Sequence, residues 1–104
     1  MEVFEVKYIY PATMSEEDGV YLVRFTDIDE ISTFGKTLYE AVEMAEDALN
    51  LMLVDMEESG DPIPKASDIR DIKLDDPKSF VTLIKADTDE YRKMLANMAQ
   101  NGDK

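Results

Sequence analysis

The sequence predicts an α+β fold: a three-to-four-stranded, mainly antiparallel sheet with one long helix packed on one face, in the order β-β-β-α-β-α. Three observations predict it. Segments near residues 3–10, 20–25 and 80–86 have the length and the β-branched, aromatic and alternating make-up of strands. From Thr37 to about Glu58, apolar residues recur every three or four positions, as on one face of an amphipathic helix. With 104 residues, 44% of them apolar, the chain suffices for one modest core and not for two. A single domain over 1–104 is expected, with its core in 2–86, a short helix at about 88–99 and a frayed tail at 100–104.

The first strand, VFEVKYIY, places Phe4, Val6, Tyr8 and Tyr10 on one face and is expected to close at Pro11. SEEDG, residues 15–19, reads as a turn in which Asp18-Gly19 can take positive φ. VYLVRF then returns as the second strand, with Tyr21, Val23 and Phe25 on one side, making an antiparallel hairpin. After a tight acidic connection at 27–30, residues 31–34 read as a short third strand ending at Gly35. Thr37 and Glu40 form a capping box, in which hydroxyl and carboxylate satisfy free amides at a helix start. The helix core stripe is Leu38, Ala41, Val42, Ala45, Leu49, Met52, Leu53 and Met56. Glu43, Glu46, Asp47, Asn50, Asp55, Glu57 and Glu58 lie mostly outside it. Ser59-Gly60 and the prolines of DPIP stop the helix. A polar, prolyl stretch follows, with one helical turn after Ser67, before the fourth strand FVTLIKA at 80–86. Asp87 and Glu90 open a last helix on which Tyr91, Met94, Leu95 and Met98 share a face.

Composition narrows the function. The formal net charge is −13, which repels nucleic acid and anionic lipid and steers a basic protein toward the chain. Cysteine and histidine are absent, so disulfides, thiolate metal sites and the usual neutral-pH general base are excluded. Lys and Arg are scattered singly and form no phosphate-binding patch. The segment MEVFEVKYIYPATM has no basic, apolar signal character, and no apolar run approaches bilayer-spanning length, so a soluble cytoplasmic protein is expected.

No glycine-rich phosphate loop, Ser/His/Asp set or zinc spacing is present. Asp27, Asp29 and Glu30 sit together after the second strand, but a magnesium nuclease draws its carboxylates from several separated elements. One acidic turn reads better as solvated charge. The chain is therefore read as no enzyme, with no cofactor, catalytic or metal site. The acidic helix is more telling. Between Thr37 and Pro64 there are eight carboxylates and no Lys or Arg. A solvated helix ordinarily mixes signs to gain i,i+4 pairs; this one accepts like-charge repulsion of a few tenths of a kcal/mol per pair. That pattern points to a basic partner.

The residues that tie the segments together also resemble a family. Tyr10-Pro11-Ala12, Asp18-Gly19, the strand ending Phe25-Thr26-Asp27, Gly35, Thr37-Leu38 with Glu40-Ala41, Ile63-Pro64 and Ser67 look like the HicB antitoxins in order and spacing. The resemblance covers residues 8–68 and extends more loosely through FVTLIKAD and Glu90-Tyr91. It implies a partial ribonuclease-H-like β-β-β-α-β fold without nuclease activity. It also implies a partner: a small basic HicA-type toxin, with a double-stranded-RNA-binding-domain-like fold, that cleaves mRNA with a histidine and whose active surface the antitoxin covers. Thr26 stands where the family usually has Pro, and Ile28-Asp29-Glu30 replace a frequent Leu-Pro-Gly turn, which leaves the register of the third strand open. Many members continue into a helix-turn-helix or ribbon-helix-helix operator-binding domain. This sequence stops at NMAQNGDK, so a HicB-like domain without that second domain is expected, and operator binding is not carried over.

The partner-binding residues expected on this reading are Glu43, Glu46 and Asp47 on the helix, with Asp27, Asp29 and Glu30 at the sheet edge. They would pair with toxin Lys and Arg that otherwise hold RNA phosphates. The alternative is a stand-alone dimerisation or adaptor module that self-associates through edge strands and a strip of Met44, Leu51 and Val54. A degenerate metal nuclease, binding magnesium through Asp27 and Asp29, is a third class.

Overall fold

The computed structural model describes residues 7–102, with side chains described through Ala99. Its elements are β1 (Tyr8–Glu17), β2 (Val20–Phe25), β3 (Ser32–Gly35), α1 (Leu38–Ser59), a 3-10 turn at Ile69–Asp71, β4 (Phe80–Ala86) and α2 (Thr88–Gly102). The four strands form one antiparallel sheet in the order β3-β2-β1-β4. The fold class and the element order read from the sequence are those observed.

The inner face of the sheet carries Tyr10, Ala12 and Met14 from β1, Val23 and Phe25 from β2, and Ile84 and Ala86 from β4, all buried. Against it α1 lays Ala41, Ala45, Leu49 and Leu53, each with no exposed surface. The i,i+4 spacing of these residues stacks them on one helix face. Val42, Met52 and Met56 flank them, half-buried. Leu38, expected in the stripe, is 44% exposed, because it stands in the first turn before the helix reaches the sheet.

The capping box forms: Thr37 Oγ1 accepts the Glu40 N–H at 3.0 Å, and the Glu40 carboxylate takes the N–H of Lys36 at 2.8 Å. At the other end Gly60, at φ 74°, donates its N–H back to Glu57 and Met56 carbonyls, closing the helix where the sequence places its stop.

β1 departs from expectation. Residues 3–6 lie outside the described part, and the strand runs on through Pro11 to Glu17 instead of closing there. Proline is tolerated in a strand where one flank is unpaired. Pairing with β2 begins only at Ala12↔Phe25, so at Pro11 the β2 flank is open while Leu83 of β4 lies opposite. The turn is correspondingly shorter than SEEDG: it is Asp18-Gly19 alone, with φ of 52° and 80°. The third-strand register is fixed as Tyr21↔Gly35 through Arg24↔Ser32. Before it, Ile28 and Ile31 turn inward and are buried, pinned by an Ile31 N–H to Ile28 carbonyl bond of 3.1 Å. α2 runs from Thr88 to Gly102.

From α1 the chain passes around the end of the sheet. Tyr10 donates its hydroxyl to the Pro64 carbonyl, and residues 73–76 reach the outer face, where they border a cavity of about 420 Å³ with Thr13, Ser15, Leu22 and Arg24. Elsewhere on that face Ile9, Phe34 and Leu83 are exposed, with the exposed Lys85 opposite Ile9.

Candidate functional site: the outward face of α1

Packing α1 on the sheet by one stripe leaves the opposite stripe to solvent. Met44 and Leu51, seven residues apart and so two turns along one face, are 46% and 55% exposed. Glu43 and Asp47 border this apolar strip on one flank, and Asp55 on the other; all three are exposed. Beside Asp55 the β2–β3 connection contributes Glu30. Together they frame a groove of about 380 Å³ whose floor is Ile31, Ala48, Leu51 and Met52. Glu30 and Asp29 are exposed at its approach. Among the described residues no ion pair reaches Glu30, Glu43, Asp47 or Asp55.

The structure separates the acidic residues singled out from sequence. Glu43 and Asp47 share the α1 surface, and Asp29 and Glu30 lie across the strip from them. Glu46 is only half-exposed. Asp27 does other work. Its carboxylate accepts both the N–H of Ser67, at 2.9 Å, and the Ser67 hydroxyl, tying the chain after α1 to the end of β2. Asp47 accepts the hydroxyl of Tyr91 at 3.0 Å, which links α1 to α2. Burial and this bond hold the Tyr91 hydroxyl above its ordinary pKa. Val54, seven residues beyond Asp47, is buried on the same α2-facing side and so drops out of the Met44–Leu51 strip. At the start of α1 the Tyr39 hydroxyl is likewise raised, by its hydrogen bond to Glu43.

One acidic residue was misplaced by the sequence reading. Glu57, counted with the solvent-facing carboxylates, turns in toward β1 and α2. It accepts the Tyr8 hydroxyl, the Thr88 hydroxyl at 3.1 Å, and ion pairs from Arg92 at 3.0 Å and Lys7 at 3.4 Å. Burial pushes its carboxyl up, yet the bonds from Tyr8, Thr88, Arg92 and Lys7 together outweigh burial and lower it to about 2. The bond to Glu57 in turn raises Tyr8 to about 12. The signal missed was Thr88 opening the last helix, with Arg92 four residues on, so that both fall on one helical face.

Asp27 being a tether has a measurable consequence. Asp27→Ala should cost about 1–2 kcal/mol in denaturant unfolding, because a charge-assisted pair of bonds is lost, while partner binding stays within about threefold. A large binding loss at unchanged stability would return Asp27 to the interface.

Among the described residues no three carboxylates gather where a metal ion could be held, and no helix is long and apolar enough to cross a membrane. A family model described as a HicB-like antitoxin of a bacterial toxin–antitoxin system matches residues 8–76. The chain belongs to that family. Among solved structures, the HicB-like chain is similar to one in a toxin–antitoxin complex from Streptococcus pneumoniae, at 28% identity over 81% of this chain and 71% of that one, with a TM-score of 0.74. It is also similar to a chain of a HicA3 and HicB3 toxin–antitoxin complex, at 23% identity over 77% of this chain and 99% of that one, TM-score 0.61. The N-terminal domain of the Burkholderia pseudomallei antitoxin HicB matches at 21% identity over 77% and 99% of the two chains, TM-score 0.68. These last two establish a shared fold. No curated protein matches the HicB-like chain significantly.

Proposed function

We propose that this HicB-like chain binds a small basic HicA-type toxin in the cytoplasm and stops mRNA cleavage by covering its RNA-binding and active surface, doing no chemistry of its own. The observation that carries the reading is the outward face of α1: an exposed apolar strip edged by carboxylates, on a helix without a single Lys or Arg. An apolar centre with a charged rim is interface anatomy. A toxin that holds RNA phosphates presents the complementary sign. The family match and the similarity to a chain of a toxin–antitoxin complex support the same partner class.

The test is a titration with the HicA-type protein encoded beside this one, at low and at high salt, with RNA cleavage followed in parallel. Tight binding that weakens as salt rises and stops cleavage is expected. Glu43→Lys with Asp47→Lys should abolish inhibition while the domain stays folded, mostly through a slower association rate. Tyr91→Phe is the control, since it removes the bond from α2 to Asp47 and leaves the charge. Full inhibition by the folded double variant would clear this flank of any role.

A second reading, self-association, is favoured by Ile9 and Leu83, exposed on neighbouring strands of the outer sheet face. A homodimer held there would be nearly insensitive to salt in sedimentation.

A further inference from the structure

Resting on the antitoxin reading, we infer that the groove between the β2–β3 connection and α1 is the seat of one arginine side chain of the toxin, its stem on Leu51 and Met52 and its guanidinium between Glu30 and Asp55. The groove has the two properties such a side chain needs. Its floor of Ile31, Ala48, Leu51 and Met52 is apolar, and its mouth carries two exposed carboxylates and the Ser32 side chain. Long cationic side chains lie their methylene stems on apolar surface and keep the charged head where it meets oxygen atoms.

The cation has to come from outside. Residues 25–35 and 37–64, which contain every wall of the groove, hold no Lys or Arg. Among the described residues the ion pairs are made by Lys7, Arg70, Arg92 and Lys93, and none of these pairs involves Glu30 or Asp55. Three other carboxylates contrast with these two: Asp27 is taken by Ser67, Asp47 by Tyr91, and Glu57 by four donors. Arginine fits better than lysine, since a planar guanidinium offers five donors to two carboxylates at once and sheds its weaker hydration more readily. Met44, next along the strip and 46% exposed, then meets an apolar neighbour of that arginine on the toxin surface.

The experiment measures binding of the same HicA-type toxin to the full chain and to the variant Glu30→Gln, Asp55→Asn. Both positions are exposed, so the melting temperature should not move. The dissociation constant should rise at least tenfold, chiefly through faster dissociation, while the salt dependence carried by Glu43 and Asp47 remains. Asp29→Asn, which lies outside the groove, should change binding less than threefold. Substituting the toxin's arginines one at a time by Ala, against wild type and against Asp55→Asn, should find one whose loss is no longer felt in the variant. If wild type binds and inhibits while the double variant binds within twofold of it, the groove assignment falls and the antitoxin reading stands. The same follows if no toxin arginine couples to Asp55. If wild type does not bind the toxin at all, both fall.

Discussion

Gly35→Ala should be the most damaging single-methyl change in this chain, lowering stability by about 3 kcal/mol or more and the melting temperature by roughly 15 °C. Gly35 ends β3, and the first turns of α1 cross directly over it. A Cβ there would lie 2.3 Å from the Ala41 amide nitrogen and 2.6 Å from its Cα, with the Glu40 carbonyl carbon at 2.8 Å. All three are backbone atoms, so no rotamer change relieves the overlap; the helix itself must lift. Ala41 has no exposed surface, and lifting α1 there opens the contact between helix and sheet that buries Ala45 and Leu49 as well. Gly19→Ala is the informative contrast. It too replaces a glycine, at φ 80° in the β1–β2 turn, but nothing stands within 4 Å of its Cβ. Its cost should be the left-handed backbone penalty alone, about 1–2 kcal/mol. If thermal melts showed Gly35→Ala within two degrees of wild type, the close approach of α1 to β3 would be wrong. The outward face that carries Glu43, Met44 and Leu51 would then be wrongly placed as well.

What could be read from the sequence was whatever is encoded within a few residues. Tyr21, Val23 and Phe25 alternate, and two of them are core. Ala41, Ala45, Leu49 and Leu53 repeat every four, and they are the helix's buried face. Thr37 and Glu40 cap its start, and Gly60 its end. What could not be read depends on residues distant in sequence that the fold brings together. Pro11 looked like a terminator because its missing N–H matters only where a partner strand asks for it, and the end of β2 decides that. Asp27 looked like a free acid because Ser67, forty residues away, is what claims it. Ile28 sat inside an acidic run, DIDE, whose charges disguised an inward-facing side chain. The candidate site was legible in its kind, an acidic helix surface suited to a basic partner. The groove proposed at Glu30 and Asp55 was not, because it needs the β2–β3 connection laid beside α1, and Asp55 is not among the residues expected from sequence to meet a partner.

Glu57→Gln should show how far an acidic chain depends on one carboxylate with four partners. The substitution keeps shape and acceptor oxygen but removes the charge that Arg92 and Lys7 pair with and that Tyr8 and Thr88 donate to. Arg92 keeps Glu58 and Asp89, and Lys7 keeps Asp89, so losing the charge should cost about 1–2 kcal/mol in denaturant unfolding at pH 7. The loss should concentrate in α2, which the cluster holds through Thr88 and Arg92, so amide exchange there should rise first. The pH dependence supplies a sharper test. The Glu57 carboxyl is lowered from an ordinary 4.5 to about 2, so its contribution is complete above about 4.5 and drains away as acid takes the pH toward 2. Tyr8 is raised from 10.0 to about 12, so its contribution is complete below 10 and is lost as the pH climbs toward 12. The Tyr8–Glu57 hydrogen bond feeds both shifts, alongside Thr88, Arg92 and Lys7 at Glu57 and burial at Tyr8; the glutamine removes the first titration and should reduce the second shift. Wild type and variant should therefore differ most between about pH 5 and 10 and converge toward either end. A gap as wide at pH 3 as at pH 7 would mean that Glu57 acts through packing instead of charge. A pH profile of the variant parallel to wild type above pH 10 would separate Tyr8 from it.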